Sequence, residues 1–223
     1  ARHRLSDRER SGVGHIQDGL VSPRAVKTGI LLSGGMDSIA LAYWKKPEVA
    51  FTVNYGQLPA RGEERAARQA CEVLGIVHHL IHVDCSSLGS GDMAGKDMSE
   101  FAPASDWWPY RNQLLLTLAA MKAISVDVGI LLIGTVRTDG IHADGTKTFI
   151  DAIGHLLSVQ EAGLRIVAPA IEISSADLIR QSGAPIDLLS WAHSCHTADY
   201  ACGDCRGCNK HREVMHELGH EVY

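Results

Sequence analysis

The sequence predicts an α/β fold in which helices cover both faces of a parallel sheet of about five strands. The chain has 223 residues and is 45% hydrophobic, enough for one domain with a full core. Short apolar runs, expected to form strands, alternate along it with stretches of helical periodicity. Helical crossovers make successive strands parallel, so ligands are expected at the carboxyl ends of the strands.

The expected elements can be placed along the chain. The strands are predicted at 26–32, 49–53, 76–83, 129–134 and 164–168. The helices are predicted at 38–44, 63–74, 113–124, 148–163 and 174–182. Long polar loops are expected at 84–106 and 135–146.

Two flanking segments differ in composition from this α/β region. Residues 1–25 are polar and rich in arginine, which favours a loosely ordered N-terminal extension over an arm that touches a partner. Residues 26–190 are expected to form the α/β domain. Residues 191–223 contain four cysteines and are predicted to form a small C-terminal metal-binding segment.

Charge and hydropathy argue against two classes of partner. The formal net charge is −5, so no global positive field attracts a nucleic-acid backbone, and stable nucleic-acid binding is not expected. No apolar run approaches the roughly 18 residues that a membrane span needs. The cysteine cluster suggests a metal in a reducing compartment, so we expect a cytoplasmic protein. A homodimer is compatible with the sequence.

A glycine-rich loop follows the first predicted strand and precedes the first helix. It reads Ser-Gly-Gly-Met-Asp-Ser, from Ser33 to Ser38. Two consecutive glycines let the main chain approach a ligand closely, and free N–H groups at a helix start attract anions. The loop lacks the Gly-Lys-Ser/Thr that accompanies γ-phosphate transfer, so it suits pyrophosphate as a leaving group. Asp37 is expected to hold Mg²⁺.

This loop resembles the signature of the PP-loop ATP-pyrophosphatase superfamily. The resemblance implies a Rossmann-like (HUP-like) sheet, cleavage of ATP between its α and β phosphates, and in most members an adenylylated intermediate. Ser33, Asp37 and Ser38 are expected to act in catalysis. The loop residues expected to bind ATP are Leu32, Ser33, Gly34, Gly35, Met36, Asp37 and Ser38.

The pattern Cys-x6-Cys-x2-Cys-x2-Cys predicts a metal site. Two-residue spacings let thiolates converge on one tetrahedral ion, and four cysteines close its coordination shell, as in structural zinc sites. An iron–sulfur cluster is also compatible with four cysteines. The predicted ligands are Cys195, Cys202, Cys205 and Cys208. Three nearby histidines are interpreted as solvated surface residues: His193, His196 and His211.

Together, the loop and the cysteine pattern resemble the QueC family of 7-cyano-7-deazaguanine synthases over roughly residues 26–220. The resemblance implies an ATP-dependent carbon–nitrogen ligase of queuosine biosynthesis that converts 7-carboxy-7-deazaguanine into a nitrile with ammonia. Weaker segments agree with it: Asn54-Tyr55-Gly56-Gln57, Arg111-Asn112, Gly134 with Thr138-Asp139, and Phe149.

The residues of these segments are expected to contact the ligands. Arg111 is expected to pair with a phosphate or with the substrate carboxylate, and to act in catalysis. Carboxylates suit the ring N–H groups of a purine-like base. Further contacts with ATP are expected from Tyr55, Gln57 and Gly134. Contacts with the substrate are expected from Arg111, Asn112, Thr138, Asp139, Asp144 and Phe149.

Two positions depart from the family pattern. Tyr110 stands where the family has a glycine before Arg111, so the backbone or the nearby space is expected to differ. Ser175 stands where the family has a lysine that is expected to meet phosphate. Either the leaving group is less stabilised, or another residue such as Arg111 or Lys147 supplies the charge.

We expect the chain to adenylylate the carboxylate of 7-carboxy-7-deazaguanine and to pass the acyl group to an amine nitrogen. Ammonia would give an amide and then the nitrile. A protein amine is an alternative acceptor, because QueC-like proteins also occur in bacterial anti-phage gene clusters. A tRNA-thiolating PP-loop enzyme and a non-catalytic nucleotide-binding adaptor are further alternatives, and the negative net charge argues against the first.

Overall fold

A computed structural model describes residues 26–220 of the chain. Within them, five parallel strands form one sheet in the order β3-β2-β1-β4-β5. The strands are β1 (Lys27–Leu31), β2 (Val49–Asn54), β3 (Val77–His82), β4 (Val128–Ile133) and β5 (Arg165–Val167). The predicted α/β fold class, with its five parallel strands, is confirmed.

Helices cover both faces of this sheet. They are α1 (Met36–Lys45), α2 (Ala60–Leu74), α3 (Arg111–Ile124), α4 (Lys147–Ser158), α5 (Ser175–Ser182), α6 (Ile186–Leu189) and α7 (Arg206–Glu217). Helices α2 and α5 each end at a glycine in the left-handed conformation, Gly75 and Gly183, which satisfies the last carbonyl groups. Helix α5 begins at Ser174, whose hydroxyl oxygen accepts a hydrogen bond from the Asp177 N–H at 3.1 Å.

The alternation of side chains along β1 divides the core between the two faces of the sheet. Ile30 and Leu32 are fully buried and pack with Leu41 of α1 and Leu178 of α5. Leu31 points to the other face, where Leu116 of α3 packs. Each such side chain stabilises the fold by roughly 1.5–3 kcal/mol relative to its exposed state.

The strand order places a crevice beside β1. From β1 the chain moves outward through β2 to β3, then returns to β4 on the opposite side of β1. The loops that follow β1 and β4 therefore leave the same edge of the sheet in diverging directions. Ligands of open α/β sheets bind at such a switch point, next to the carboxyl ends of the strands.

The cysteine-rich segment packs directly onto the α/β layers. Val214 and Met215 of α7 are buried in the same core as α1 and α5. The His193 N–H donates a hydrogen bond to the Gly34 carbonyl oxygen at 2.9 Å, and the Arg61 N–H donates one to Asp199 Oδ1 at 3.1 Å. The predicted boundary near residue 190 stays a prediction, and the predicted extension at 1–25 lies outside the described residues.

Some elements differ from the sequence expectation. Helix α7 was not predicted, because glycine and cysteine dominate its first turn and obscure the helical periodicity. The two polar loops contain short 3-10 turns at Ser86–Leu88, Asp92–Ala94, Arg137–Ile141 and Ala143–Gly145. No helix between residues 26 and 220 is long and apolar enough to cross a membrane.

Candidate active site at the carboxyl ends of the strands

A cavity of about 820 Å³ lies at the carboxyl ends of β1, β2 and β4. Its wall combines the loop after β1, the starts of α3 and α5, the turns after β4 and part of the cysteine-rich segment. Thirteen of the sixteen residues predicted to contact ATP or the substrate line it: Leu32, Ser33, Gly35, Met36, Asp37, Ser38, Tyr55, Arg111, Asn112, Gly134, Thr138, Asp139 and Asp144. Residues far apart in sequence are thus brought together as one site.

The loop from Ser33 to Ser38 provides no side-chain cap for the first N–H groups of α1, so the start of this helix is open to a ligand. The Gly35 N–H donates to Ser33 Oγ at 3.3 Å, and the Ser38 hydroxyl donates to the Gly35 carbonyl oxygen at 2.9 Å. Ile39 is the first residue of α1 to donate to a carbonyl of this turn, that of Gly35, at 3.1 Å. Gly35 occupies the N-cap position and has no side chain to accept from the N–H groups of Asp37 and Ser38, which follow it in the first turn. Those groups lie at the cavity wall, where an anion can accept from them.

Two glycines let neighbouring segments approach this loop. Gly34 has a φ of +80°, and a Cβ atom there would lie 2.6 Å from the Glu63 carbonyl oxygen. A Cβ atom at Gly134, which follows β4, would lie 3.1 Å from the Ser38 Cα atom. The loop after β1 is therefore in close contact with both α2 and the end of β4.

An ion-pair network joins the loop to α7. The Lys210 ammonium group donates to Asp37 Oδ2 at 2.9 Å and to Asp139 Oδ1 at 3.1 Å. Asp139 also accepts from the Val136 N–H at 3.1 Å, which holds the turn after β4. Burial raises the pKa of Asp37 above its ordinary value; Lys210 lowers it and Asp139 raises it further. Asp37 Oδ1 is buried and has no hydrogen-bond partner among the described residues.

Arg111 lies at the opposite side of the cavity, at the start of α3. Its Nη1 atom is 2.9 Å from the Met93 sulfur. Burial opposes its charge, but Tyr55, Asp144 and other acidic groups outweigh that effect and raise the pKa of Arg111. The guanidinium group therefore stays charged and faces a mixed acidic and apolar surrounding.

Asn112 and Asp144 bind each other across the cavity rim. The Asn112 N–H donates to Asp144 Oδ2 at 3.0 Å, and Asn112 Nδ2 donates to the Asp144 carbonyl oxygen at 2.8 Å. Asp144 thus satisfies an N–H group at the start of α3. Between residues 26 and 220, no such bond is found for its Oδ1 atom, which is the oxygen left for a ligand.

The other three residues that were predicted to contact ATP or the substrate lie outside the cavity lining. Gly34 belongs to the loop itself but is buried, so it does not face the cavity. Gln57 is 4% exposed, and its amide binds the Tyr55 N–H at 2.8 Å and Glu63 Oε2 at 2.7 Å. Phe149 packs against the core between the sheet, α3 and α4. All three residues therefore contact other parts of the protein and stabilise the cavity wall without facing the cavity.

Glu63 of α2 lines the cavity and was not predicted as a site residue. Burial raises the pKa of its carboxyl to about 7, although Gln57 and Arg111 lower it. A carboxyl with that pKa exchanges a proton near neutral pH, which is a property of general bases. Glu63 and Glu64 are adjacent in a polar helix, so the sequence alone does not indicate which of the two faces the cavity.

A second unpredicted group surrounds the buried Asp106. Its Oδ1 atom lies 3.3 Å from Arg206 Nη1 and 3.4 Å from His142 Nε2, and its Oδ2 atom lies 3.6 Å from His196 Nδ1. Burial lowers the pKa of His196 to about 4, so this ring is neutral at neutral pH. All four residues line the cavity, and they come from three segments that are distant in sequence.

The four predicted metal ligands converge. The sulfur atoms of Cys195, Cys202, Cys205 and Cys208 all lie within 4.8 Å of one another. The Cys202–Cys208 and Cys195–Cys205 sulfur pairs are 4.0 and 3.9 Å apart. A tetrahedral zinc with bonds of about 2.3 Å separates its sulfur ligands by about 3.8 Å, so the set fits this ion. The His196 N–H also donates to Cys205 Sγ at 3.3 Å, which suits a thiolate.

The interpretation of the nearby histidines as solvated is wrong. His193, His196 and His211 are all half-buried. The ring of His193 binds the Ala198 carbonyl oxygen at 3.0 Å, and the ring of His211 binds Ser194 Oγ at 3.0 Å. None belongs to the cysteine cluster; all three line the cavity instead. Packing of the cysteine-rich segment against the loop after β1 removes them from solvent.

The chain is similar to known proteins over most of its length. A family profile described as "Queuosine biosynthesis protein QueC" matches residues 27–219. A 7-cyano-7-deazaguanine synthase of Chlorobaculum tepidum is 33% identical over 217 residues, covering 85% of this chain and 92% of that protein. One of Methanosarcina barkeri is 28% identical over 220 residues, covering 87% and 95%. A solved NMN synthetase structure from Francisella tularensis has a TM-score of 0.46 at 16% identity, covering 90% of this chain and 80% of that one.

Proposed function

The chain belongs to the QueC family, and we propose that it uses ATP to activate the carboxylate of 7-carboxy-7-deazaguanine and then joins the acyl group to ammonia. Its relatives are 7-cyano-7-deazaguanine synthases by name, and the chain is an enzyme of the carbon–nitrogen ligase class. The single observation that carries the proposal is the open start of α1 at the cavity, with Asp37 and Lys210 beside it. This arrangement offers N–H donors, a cation and a carboxylate to a magnesium-bound polyphosphate.

ATP is proposed to place its β and γ phosphates on the loop from Ser33 to Ser38. The N–H groups in the first turn of α1 donate to no side-chain cap, so a phosphate oxygen is a suitable acceptor for them. Asp37 would hold Mg²⁺, because its buried Oδ1 atom has no protein partner within the described chain. The ion would neutralise charge on the phosphates. Tyr55 and Gly134 then lie where adenosine contacts are expected.

The substrate is proposed to lie between Arg111 and the turns after β4. Arg111 stays charged and is suited to pair with the substrate carboxylate. Asp144 Oδ1 is available to accept a hydrogen bond from the deazaguanine ring, while Oδ2 remains bound to α3. Thr138 lines the same wall. This placement aims the carboxylate toward the phosphates held at α1.

The chemistry needs positioning and charge rather than a protein nucleophile. A carboxylate oxygen attacks the α phosphorus, the bond between the α phosphorus and its bridging oxygen breaks, and pyrophosphate leaves with the electron pair. Ammonia then attacks the acyl carbon and AMP departs, which leaves an amide and one proton. The amide oxygen would then attack the α phosphorus of a second ATP and release pyrophosphate, and loss of AMP would give the nitrile, with two protons released over these two steps. Preorganised donors at the loop stabilise the charge that develops on the leaving group.

Glu63 is proposed to take the proton that the attacking amine releases. It lines the cavity, and its raised pKa of about 7 lets it accept a proton at neutral pH and return it to solvent. Gln57 Nε2 donates a hydrogen bond to Glu63 Oε2 at 2.7 Å, so the Oε1 atom of Glu63 is left to accept the proton from the amine.

The four cysteines are proposed to hold a structural zinc ion. Four sulfur ligands leave no open coordination position, so the ion would organise the fold and would not contact the substrate. An iron–sulfur cluster is the alternative, and metal analysis of protein purified without air separates the two.

Product analysis by mass spectrometry tests the proposal. The protein is incubated with Mg·ATP, 7-carboxy-7-deazaguanine and ammonium, and a parallel reaction offers a protein amine instead. We expect AMP, pyrophosphate and an amide or nitrile of the deazaguanine. A mass increase on the protein amine would identify the alternative acceptor. Absence of AMP and pyrophosphate in every reaction would refute ligase chemistry and favour the adaptor.

A further inference from the structure

We propose that Lys210 of α7 is the cation that stabilises the leaving pyrophosphate, and that the four-cysteine cluster holds it in position. The inference rests on the proposed function, because it assigns a residue to the adenylylation step. In that step the α–β bridging oxygen keeps the electron pair of the broken P–O bond. An ammonium group next to the loop would donate a hydrogen bond to the new negative oxygen.

The position of the Lys210 ammonium group supports this role. It lies 2.9 Å from Asp37 Oδ2 and 3.1 Å from Asp139 Oδ1, at the cavity wall. Without this cation the two carboxylates would face the phosphates and repel them. The side chain is 36% exposed, so the ammonium group keeps donor capacity for a ligand.

The other candidate cations are occupied elsewhere. Lys147 binds Asp151 one turn along α4 at 2.7 Å, with 65% of its side chain exposed, and it does not line the cavity. Arg111 lies against Met93 at the other side of the cavity. Arg206 binds Asp106 at 3.3 Å. Among the lysines and arginines of the described cavity wall, Lys210 therefore remains as the one that contacts the loop. Lys147, which was named with Arg111 as a possible source of the charge, is thus absent from the described cavity wall.

Ser175 is a second residue beside the Asp37 carboxylate. It is 2% exposed at the start of α5. Its hydroxyl group makes no regular hydrogen bond within residues 26–220, yet it lies close enough to Asp37 to lower the pKa of that carboxyl. Ser175 and Lys210 thus face the same carboxylate from α5 and α7. A lysine at position 175 would therefore place its ammonium group near the same Asp37 carboxylate that Lys210 contacts.

The cysteine cluster determines where α7 begins. Cys205 is the N-cap residue of α7, and Cys208 lies in its first turn. Lys210 follows Cys208 by two residues, so an ion held by these cysteines would restrain the turn that carries the ammonium group. A structural metal would thereby act on catalysis through the placement of one side chain.

Pyrophosphate exchange into ATP, with 7-carboxy-7-deazaguanine present, tests this assignment. Lys210→Met should lower the exchange rate by about 100-fold, a typical loss for one donor to a developing oxyanion. Lys147→Met is the matched control and should leave the rate within about twofold. Ser175→Lys in the Lys210→Met background should recover at least tenfold, because the charge returns to the same carboxylate.

The outcomes are separable from those of the proposed function. No exchange by the unmodified protein would refute the proposed function and this inference together. Exchange by the unmodified protein with an undiminished rate in Lys210→Met would overturn this inference alone. Metal content and thermal melting are measured on each variant. If Lys210→Met loses its metal or melts early, recovery by Ser175→Lys supports the assignment and lack of recovery overturns it.

Discussion

Gln57 Nε2 donates a hydrogen bond to Glu63 Oε2 at 2.7 Å, so a buried amide orients a carboxylate that lines the cavity. Burial is the largest influence on that carboxylate and raises its pKa from the ordinary 4.5 to about 7. The folded protein therefore binds this proton more tightly than the unfolded chain does. The stability contributed by the protonated carboxyl is complete below pH 4.5 and is lost as the pH rises through 7.

Replacement of this carboxyl should remove that pH dependence. Glu63→Gln should flatten the change in the free energy of unfolding between pH 4.5 and 7, a change of up to about 3 kcal/mol for this group. Urea unfolding at several pH values measures it. Glu72→Gln, an exposed change on the same helix, is the control and should retain the slope. An unchanged slope in Glu63→Gln would show that Glu63 titrates normally.

Gly34→Ala should destabilise the protein and prevent ATP binding. The left-handed conformation costs a non-glycine residue about 1–2 kcal/mol, and the new Cβ would lie 2.6 Å from the Glu63 carbonyl oxygen. Gly219→Ala is a matched control, because φ is also near +80° but no atom lies within 4 Å. Urea unfolding should show a larger loss for Gly34→Ala. Equal losses of unfolding free energy in the two variants would show that α2 leaves room for a Cβ atom at position 34.

Tyr110→Gly should be more stable than Tyr110→Ala by about 1 kcal/mol. Tyr110 has a φ of +54° and is 76% exposed, so it adopts a conformation suited to glycine while its ring points to solvent. Both variants remove the ring, so their difference in unfolding free energy isolates the backbone strain. Equal stabilities would contradict the strained conformation.

One zinc ion per chain is expected from metal analysis of the purified protein. Cys202→Ser should lose the ion and lower the melting temperature, because three sulfur ligands bind zinc more weakly than four. Cys85→Ser, at a half-buried cysteine outside the cluster, should keep it. Iron with inorganic sulfide in place of zinc would identify the alternative cluster.

The fold and the place of the loop from Ser33 to Ser38 at the cavity were predictable because their signals are local. The apolar run at 26–32 and the glycines at 34 and 35 lie in one short stretch, as do three of the four cysteines. Periodicity and spacing carry information of that kind. The predicted bounds of all five strands agree with the structure to within one residue at each end.

The contacts of Lys210 with Asp37 and of Arg206 with Asp106 were not predictable, because they form only when distant segments pack together. Lys210 lies 173 residues from Asp37 in sequence, and Arg206 lies 100 residues from Asp106. Only the docking of α7 onto the cavity brings each pair together. Gln57 shows the converse case: its motif suggested contact with ATP, but neighbouring protein groups occupy its amide.

A crystal structure with Mg²⁺ and an ATP analogue that cannot be cleaved between the α and β phosphates tests the central claim most directly. We predict density for the β and γ phosphates against the main-chain N–H groups at the start of α1, within residues 33–38, with Lys210 turned toward them. Nucleotide bound elsewhere while that loop stays empty would contradict the account.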